Sequence, residues 1–505
     1  YVLFKKVYDK IKAYKKVNGH EPEVIFLQNH GIFVGADTTE RIEEIYNHVL
    51  STIESKVEAL PAGEAQICDC VSETIPALRS ILSRGGRGVK TLKVTNDALI
   101  SNFICCPEKV AALMSPFTPD GIVYCKSEYI YIDHEGPEDL VKKAEKKIEA
   151  YVAKRGHTPK VLLIKGIGLV AVGDNAKNAQ VITDVFYDAV KVAWYAQSFG
   201  GQHPMNKRQI NFIDNWEVEN YRRKVAAGAS KGRVEGKTII VTGAAQGFGE
   251  GIARQLMKEG ANIIVADLNE AVGEETAKSF NQMGGSNKAI FVKTNVADMD
   301  SLNNLIKTTI VNFGALDVFV SNAGVLRAGD LNAMTPENFS FVTNINYNAY
   351  FYCAKVASKV MKVQTAHDPE YFADIVQVNS KSGLRGSKAN FAYAGGKFGG
   401  IGLTQSFALE LAPFRIKVNS ICPGNFYDGP LWSNPVNGLF VQYLAAGKVP
   451  GAKTVQDVKD FYLSQVPMRK GCNPEDVTKA ILYAIEQTGE TGQAIPVTGG
   501  QVMLA

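Results

Sequence analysis

The chain has 505 residues, 46% of them hydrophobic, which is enough for about three packed domains. A net charge of +4 over that length is too small to mark a nucleic-acid or membrane-surface binder, and no stretch approaches transmembrane length. The eight cysteines include Cys68 with Cys70 and the neighbours Cys105 and Cys106, but no Cys-x-x-Cys, which predicts reduced thiols and a cytoplasmic setting.

The first residues, FKKVYDKIKAYKK, form a charged amphipathic helix pattern and not a signal peptide. The chain starts at Tyr1 without a methionine, so a longer gene product is expected. Residues 22–37, PEVIFLQNHGIFVGAD, set two short apolar runs around Asn-His-Gly and lead into the helical pattern TTERIEEIYNHVLSTIESKV. Residues 159–174, PKVLLIKGIGLVAVGD, repeat this arrangement and are again followed by a helical pattern. Pro22 and Pro159, Val24 and Val161, Gly31 and Gly168, and Asp37 and Asp174 share one offset (168 − 31 = 137), the mark of an internal repeat. In that register His30 falls opposite Ile167, so one copy carries a candidate metal ligand and the other does not.

The stretch LQNHGIFVGAD resembles the class II aldolase/adducin family, which implies His30 as a zinc ligand. That family draws its other ligands from an upstream His-x-His, and this sequence contains none. Zinc chemistry needs three protein ligands and an open position, so the resemblance implies zinc only if further ligands lie upstream of Tyr1. The alternative is a histidine satisfied by hydrogen bonds in its turn. Residues 116–132, PFTPDGIVYCKSEYIYI, resemble fused aldolase-dehydrogenases and belong to the copy without ligands, which is expected to act as scaffold. The run from Trp216 to Lys237 is helical and then small and charged, as a connector would be. The expected units are a partial aldolase-like unit at 1–60, a degenerate one at 61–225 and a third unit at 226–505, with the last boundary near 230.

Residues 238–249, TIIVTGAAQGFG, run from a strand through Thr242-Gly243-x-x-x-Gly247-x-Gly249 into the helix EGIARQLMKEG. Glycines at such a turn let the backbone approach a pyrophosphate, whose charge the helix N-terminus offsets. The following strand ends at Asp267, where a carboxylate accepts hydrogen bonds from ribose hydroxyls and repels a 2′-phosphate. With no arginine or lysine among Ala244, Ala245 and Gln246, NAD is expected over NADP. Further alternation follows: AIFV, a helix at 299–313, LDVFV ending in SNAG, a long helix around Asn346, DIVQV, a helix bearing Tyr393, IKVNSIC and AIPV. This pattern predicts an α/β doubly wound parallel sheet.

In SKSGLRGSKANFAYAGGK, the four-residue step from Tyr393 to Lys397 sets an ammonium beside a phenol on one helix face and favours the phenolate. Ser380, at the end of an apolar run, is placed to hold a substrate oxygen. The Tyr-Lys pair alone has little specificity, and its position downstream of the glycine turn gives it meaning. Together TGAAQGFG, SNAG, NIN at 344–346, Ser380, YAGGK and CPG at 422–424 resemble the short-chain dehydrogenase/reductase family over 237–505.

That resemblance implies a Rossmann-like fold and a homo-oligomer. It implies Tyr393 as general acid/base, Ser380 binding the reacting oxygen, Lys397 holding the nicotinamide ribose and lowering the phenol pKa, and Asn346 ordering a relay water. It further implies NAD contacts from Gly243, Gln246, Gly247, Phe248, Gly249, Asp267, Leu268, Asn295, Val296, Asn322, Ala323, Gly324, Pro423, Gly424 and Phe426. The sequence departs from the family at Asn295, where an aspartate usually meets the adenine, and at Asp428, where a threonine often meets the nicotinamide amide.

Residues 425–472 form a long insertion expected over the carboxyl edge of the sheet, where Phe426, Tyr427 and Trp432 either exclude water or anchor the loop. VPMRKGC and PVTGGQVML resemble sorbitol-6-phosphate 2-dehydrogenases and a group of fused aldolase-dehydrogenases, which implies a small-molecule sugar or polyol substrate. Lys381, Arg385, Arg469 and Lys470 are either phosphate contacts or solvated charges. Three functions stay open. One is an NAD-linked dehydrogenase that interconverts a secondary alcohol and a ketone on a sugar alcohol or its phosphate, with an incomplete aldolase-like region. The second is a bifunctional enzyme resembling rhamnulose-1-phosphate aldolase fused to lactaldehyde dehydrogenase. In the third, the first 225 residues serve only in assembly or docking.

Overall fold

The computed structural model of the protein describes residues 2–215, 232–436, 438–445 and 447–503. Most of the expected connector, from Trp216 on, and the boundary near 230 lie outside the described residues. No described helix is long and apolar enough to cross a membrane.

The internal repeat is visible as structure. Strands β1 (Val24–Leu27) and β2 (Gly31–Val34) pair as an antiparallel hairpin and precede the helix Thr39–Glu54. In the second copy, β3 (Thr91–Thr95) and β4 (Ile130–Ile132) flank β5 (Val161–Ile164) and β6 (Gly168–Gly173) in a sheet ordered β3-β6-β5-β4. The corresponding helix, Ala176–Ala196, follows with Asn175 as its side-chain cap. Neighbouring strands explain the difference in burial. VLLI and GLVAVG are buried throughout, whereas Phe26 and Phe33 of the first hairpin are 67% and 55% exposed. The two turn glycines report the same contrast: a Cβ on Gly168 would lie 2.4 Å from Thr95 O, and one on Gly31 would meet nothing within 4 Å.

Seven parallel strands make the second half: β7 (Thr238–Thr242), β8 (Asn262–Asp267), β9 (Ala289–Lys293), β10 (Val318–Ser321), β11 (Ala373–Val378), β12 (Ile416–Pro423) and β13 (Ala494–Val497). Their order is β13-β12-β11-β10-β7-β8-β9, so the direction of winding reverses between β7 and β10. A parallel sheet covered on both faces needs near-continuous apolar strands. Accordingly Ile240 and Ile264 enter one core while Ile239, Val241, Ile263 and Val265 enter the other.

The two halves share a core. Leu78 and Leu82 of the helix Val71–Ser83 belong to the same apolar cluster as Tyr350 and Ala357 of the helix Ala349–His367. Within this interface Arg79 meets Asp317 at 3.0 Å, and both side chains are almost fully buried. The expectation of reduced thiols is corrected at one pair: Cys68 and Cys70 are joined as a disulfide, with Cα atoms 5.2 Å apart. Cys70 caps the helix Val71–Ser83 and the Val71 N–H bonds back to Cys68 O, so the turn into the helix brings the two sulfurs together.

Candidate active site

In a doubly wound sheet, ligands bind beyond the carboxyl ends of the strands where the order reverses, which here lies between β7 and β10. The glycine turn after β7 occupies that place. Gly243 and Gly247 take φ of 64° and 66°, which glycine adopts without a Cβ penalty. A Cβ on Gly249 would sit 2.1 Å from Gly243 O and 2.5 Å from Asn322 Nδ2, so this position has room only for hydrogen. A Cβ on Gly247 would meet nothing within 4 Å, so the turn is packed beneath and open above. The turn is clasped from β10. The Asn322 and Ala323 N–H groups both donate to Thr242 Oγ1 at 3.0 Å, and Asn322 Nδ2 donates to Thr242 O at 2.8 Å. With the N-terminus of the helix Gly247–Lys258 behind it, this cradle fits the pyrophosphate of a dinucleotide.

Asp267 ends β8. Its two carboxylate oxygens accept from Ala245 N and Asn269 N, each at 3.0 Å, so it also fixes the glycine turn. A carboxylate has about four acceptor sites, which leaves capacity for ribose hydroxyls. Leu268 beside it is exposed, as is Gln246 at the start of the helix. The Asn295 side chain accepts from Ala297 N at 3.1 Å and stays within its own turn, and Val296 is buried.

The proposed reacting groups converge at the same edge. Ser380 follows β11 and its hydroxyl accepts from Ser382 N at 3.1 Å. Tyr393 and Lys397 lie on the helix Phe391–Leu411, with the Ser380 hydroxyl close enough to the phenol to favour its ionised form. Lys397 is buried, and its ammonium donates to Val378 O at 2.9 Å. Gly324 ties the other motifs in: a Cβ there would lie 3.2 Å from Asn346 Oδ1 and 3.9 Å from Lys397 Nζ. Asn346 sits in a π-helical turn, Asn344–Asn348, a feature common at functional sites. Its amide exchanges two 2.8 Å hydrogen bonds with the Val325 backbone, which fix the side chain.

The electrostatics correct one expectation. Burial holds the Tyr393 phenol above its ordinary pKa, the Ser380 hydroxyl acts against this, and nearby Cys422 adds to the rise. The Lys397 ammonium, 5.7 Å from the Tyr393 ring centroid, is directed at the Val378 carbonyl, and burial pushes its own pKa down to about 8. Desolvation therefore outweighs the expected lowering of the phenol.

The other groups named in the insertion fall into three environments. Asp428 pairs with Lys459 at 2.7 Å. Tyr427 and Trp432 are anchors of the insertion, packing at 5.0 Å with each other in a small core with Phe440 and Val458. Phe426 instead reaches Phe248 of the glycine turn, ring centroids 5.0 Å apart, so the loop beyond Pro423 and Gly424 touches the start of the cofactor helix. One residue that sequence reasoning passed over lies here too. Gln501 contacts Lys381, and its Oε1 would lie 3.5 Å from a Cβ on Gly424. The signal available was the Gly499-Gly500 pair, whose φ values of 61° and 88° turn the tail after β13 back toward the site.

The described residues bring no further metal ligand to His30: its side chain is exposed and stacks on Phe33 at 6.4 Å, and among them no group of three or more His, Cys, Asp or Glu is arranged to hold a metal ion. The hairpin tip is held by its neighbour instead, Asn29 donating to Phe117 O and His203 O at 3.0 and 2.8 Å. In the second copy a cavity of about 250 Å³ is lined mainly by apolar side chains such as Phe117, Tyr129 and Phe186, all within residues 113–192.

Comparison with known proteins agrees with this architecture. The short chain dehydrogenase family matches residues 237–433, and the second domain of class II aldolases matches residues 70–222. A sorbitol-6-phosphate 2-dehydrogenase of Escherichia coli (strain K12) is 34% identical over 269 residues, which are 53% of this chain and 99% of that protein. An uncharacterized oxidoreductase, YuxG, of Bacillus subtilis (strain 168) is 23% identical over 531 residues, spanning 97% of this chain and 74% of its own. The crystal structure of sorbitol-6-phosphate 2-dehydrogenase SrlD from Erwinia amylovora is similar at 33% identity and a TM-score of 0.48, covering 53% of this chain and 100% of that one. Taken with the glycine turn and the Ser380, Tyr393 and Lys397 arrangement, the E. coli relative places the chain: it belongs to the short-chain dehydrogenase/reductase family, an oxidoreductase fused to a class II aldolase-like region.

Proposed function

We propose that the second half of the chain interconverts a secondary alcohol and a ketone on a sugar alcohol or sugar alcohol phosphate, using NAD(H). The observation that carries this reading is the meeting of Ser380, Tyr393 and Lys397 beside the open glycine cradle at the reversal point of the sheet. The name of the 34% identical relative supports the substrate class. A bound nicotinamide dinucleotide would supply or take up the hydride. Ser380 Oγ holds the substrate oxygen, and Tyr393 Oη gives a proton to that oxygen in reduction or removes one in oxidation. Lys397 orients the ribose side of the cofactor. Phe248 and Phe426, in contact across the cleft, shield it from water. A screen of polyols and polyol phosphates followed by NADH absorbance tests the proposal, and no turnover in either class would overturn it.

Cofactor choice rests on Asp267. NADH is expected to bind much more tightly than NADPH, and Asp267→Ala is expected to narrow the gap because the carboxylate that repels a 2′-phosphate is gone. Equal affinities of the unmutated protein for the two, in a fluorescence titration, would refute this. For the first part of the chain we favour an assembly role, because the helix Val71–Ser83 shares its core and a buried ion pair with the dehydrogenase sheet. On this reading the chain divides at 1–60, 61–225 and 226–505.

A further inference from the structure

The four cations near the substrate insertion have different surroundings. Lys470 is exposed and neutralised by Asp476 at 2.9 Å. Arg385 and Arg469 are exposed. Lys381 is half-buried, directly follows Ser380, and donates to the neutral amide oxygen Gln501 Oε1 at 3.0 Å. Among the described residues no carboxylate lies within ion-pairing distance of it. Burial pushes its pKa down, as expected for an ammonium withdrawn from water without a counter-charge.

Such a charge is costly to keep, and a site where it persists is a candidate for an anion. Gln501 is suited to that task, since a neutral acceptor aims the ammonium without cancelling it. The Gln501 side chain also hydrogen-bonds toward Tyr427, and it lies against Gly424. The pair therefore bridges the loop after β11 and the loop after β12, on the side of the sheet away from β8, where the adenosine end of the cofactor is proposed to lie. The residues that follow, 385–389, are exposed throughout, so this end of the site is open to solvent.

We infer that Lys381, aimed by Gln501, is the contact for an anionic group on the substrate, the phosphate of a sugar alcohol phosphate, an inference that rests on the dehydrogenase reading above. A lysine ammonium binds phosphate as a point charge through charge-assisted hydrogen bonds. One residue away, Ser380 holds the reacting oxygen, so the phosphate and the carbon to be oxidised would lie within the span of one short sugar alcohol.

Two measurements test it. Inorganic phosphate is titrated calorimetrically into protein saturated with NADH, which fills the pyrophosphate cradle. Phosphate should bind the unmutated protein and bind Lys381→Met and Gln501→Glu about tenfold more weakly or worse, the second because it sets a carboxylate against the ammonium. Lys470→Met should bind like the unmutated protein. Absence of phosphate binding to the unmutated protein, or equal binding to Lys381→Met, overturns the inference whatever the substrate proves to be. In the second measurement, the ratio of kcat/KM for sorbitol 6-phosphate to that for sorbitol should fall about tenfold or more in Gln501→Glu. An unchanged ratio overturns the inference, whereas no turnover of any polyol or polyol phosphate overturns the dehydrogenase reading and leaves the phosphate titration to judge Lys381.

Discussion

Replacing Tyr393 with phenylalanine is expected to lower turnover by about 10²–10⁴-fold while leaving NADH binding nearly unchanged, because the substitution removes the transferable proton and little else. The ring keeps its place on the helix Phe391–Leu411, and Lys397 keeps its hydrogen bond to Val378 O. Lys397→Ala should damage both binding and turnover, since it empties a buried site beside Gly324 and Asn346. The contrast between the two variants is the diagnostic. Turnover is read from NADH absorbance on the substrate found by screening, and cofactor binding from fluorescence. A Tyr393→Phe enzyme within threefold of the unmutated rate would remove Tyr393 from the mechanism.

Asp317→Ala is expected to be the most destabilising single change at the contact between the two halves. The carboxylate accepts from Arg79 Nη2 at 3.0 Å, from the Thr238 N–H at 2.7 Å and from the Tyr371 hydroxyl at 2.5 Å, all in the interior. Removing it strands the Arg79 guanidinium, which is stacked toward Tyr371 and otherwise donates to Lys90 O. Breaking one side of a buried ion pair costs about 3–5 kcal/mol, because the remaining charge is left without compensation. Arg79→Met with Asp317→Leu should recover part of the loss, and only part, since Thr238 N and Tyr371 Oη still lose their acceptor.

Acid should act on the same group. Burial raises the Asp317 pKa, but Arg79, Lys237 and the hydrogen bonds from Tyr371 and Thr238 outweigh it and hold the carboxyl below its ordinary value. A folded pKa below the unfolded one, near about 3.9, gives stability that is fully present at neutral pH and lost as pH falls from there through the folded value. Denaturation midpoints of Asp317→Ala and the unmutated protein, followed from neutral to acid pH, should therefore approach each other at low pH. Equal midpoints at neutral pH would show that this network does not hold the halves together.

Residue spacing was sufficient wherever one element carries the information. The strands from β7 to β13 were legible as apolar runs, the glycine turn as a strand-to-helix signature, and the duplication as a fixed offset between two hairpins. His30 shows where spacing stops being informative. Its turn looks like a ligand turn, yet a metal site requires several side chains from different segments, and among the described residues none assemble around it. Tyr393 and Lys397 show a subtler limit. The four-residue step placed both on one helix, but the direction of the ammonium follows from the Val378 carbonyl, a partner on β11.

By itself the sequence determined the doubly wound half, the family it belongs to and which candidate residues stand at the carboxyl edge of the sheet, because period and motif spacing act along one strand, turn or helix at a time. Tertiary structure alone decided the pairs that join distant segments. Lys381 meets Gln501 across 120 positions, Phe248 meets Phe426, and Arg79 meets Asp317 across 238. Those contacts depend on strand order and on which helix packs against which face, and chain-local periodicity carries no record of either.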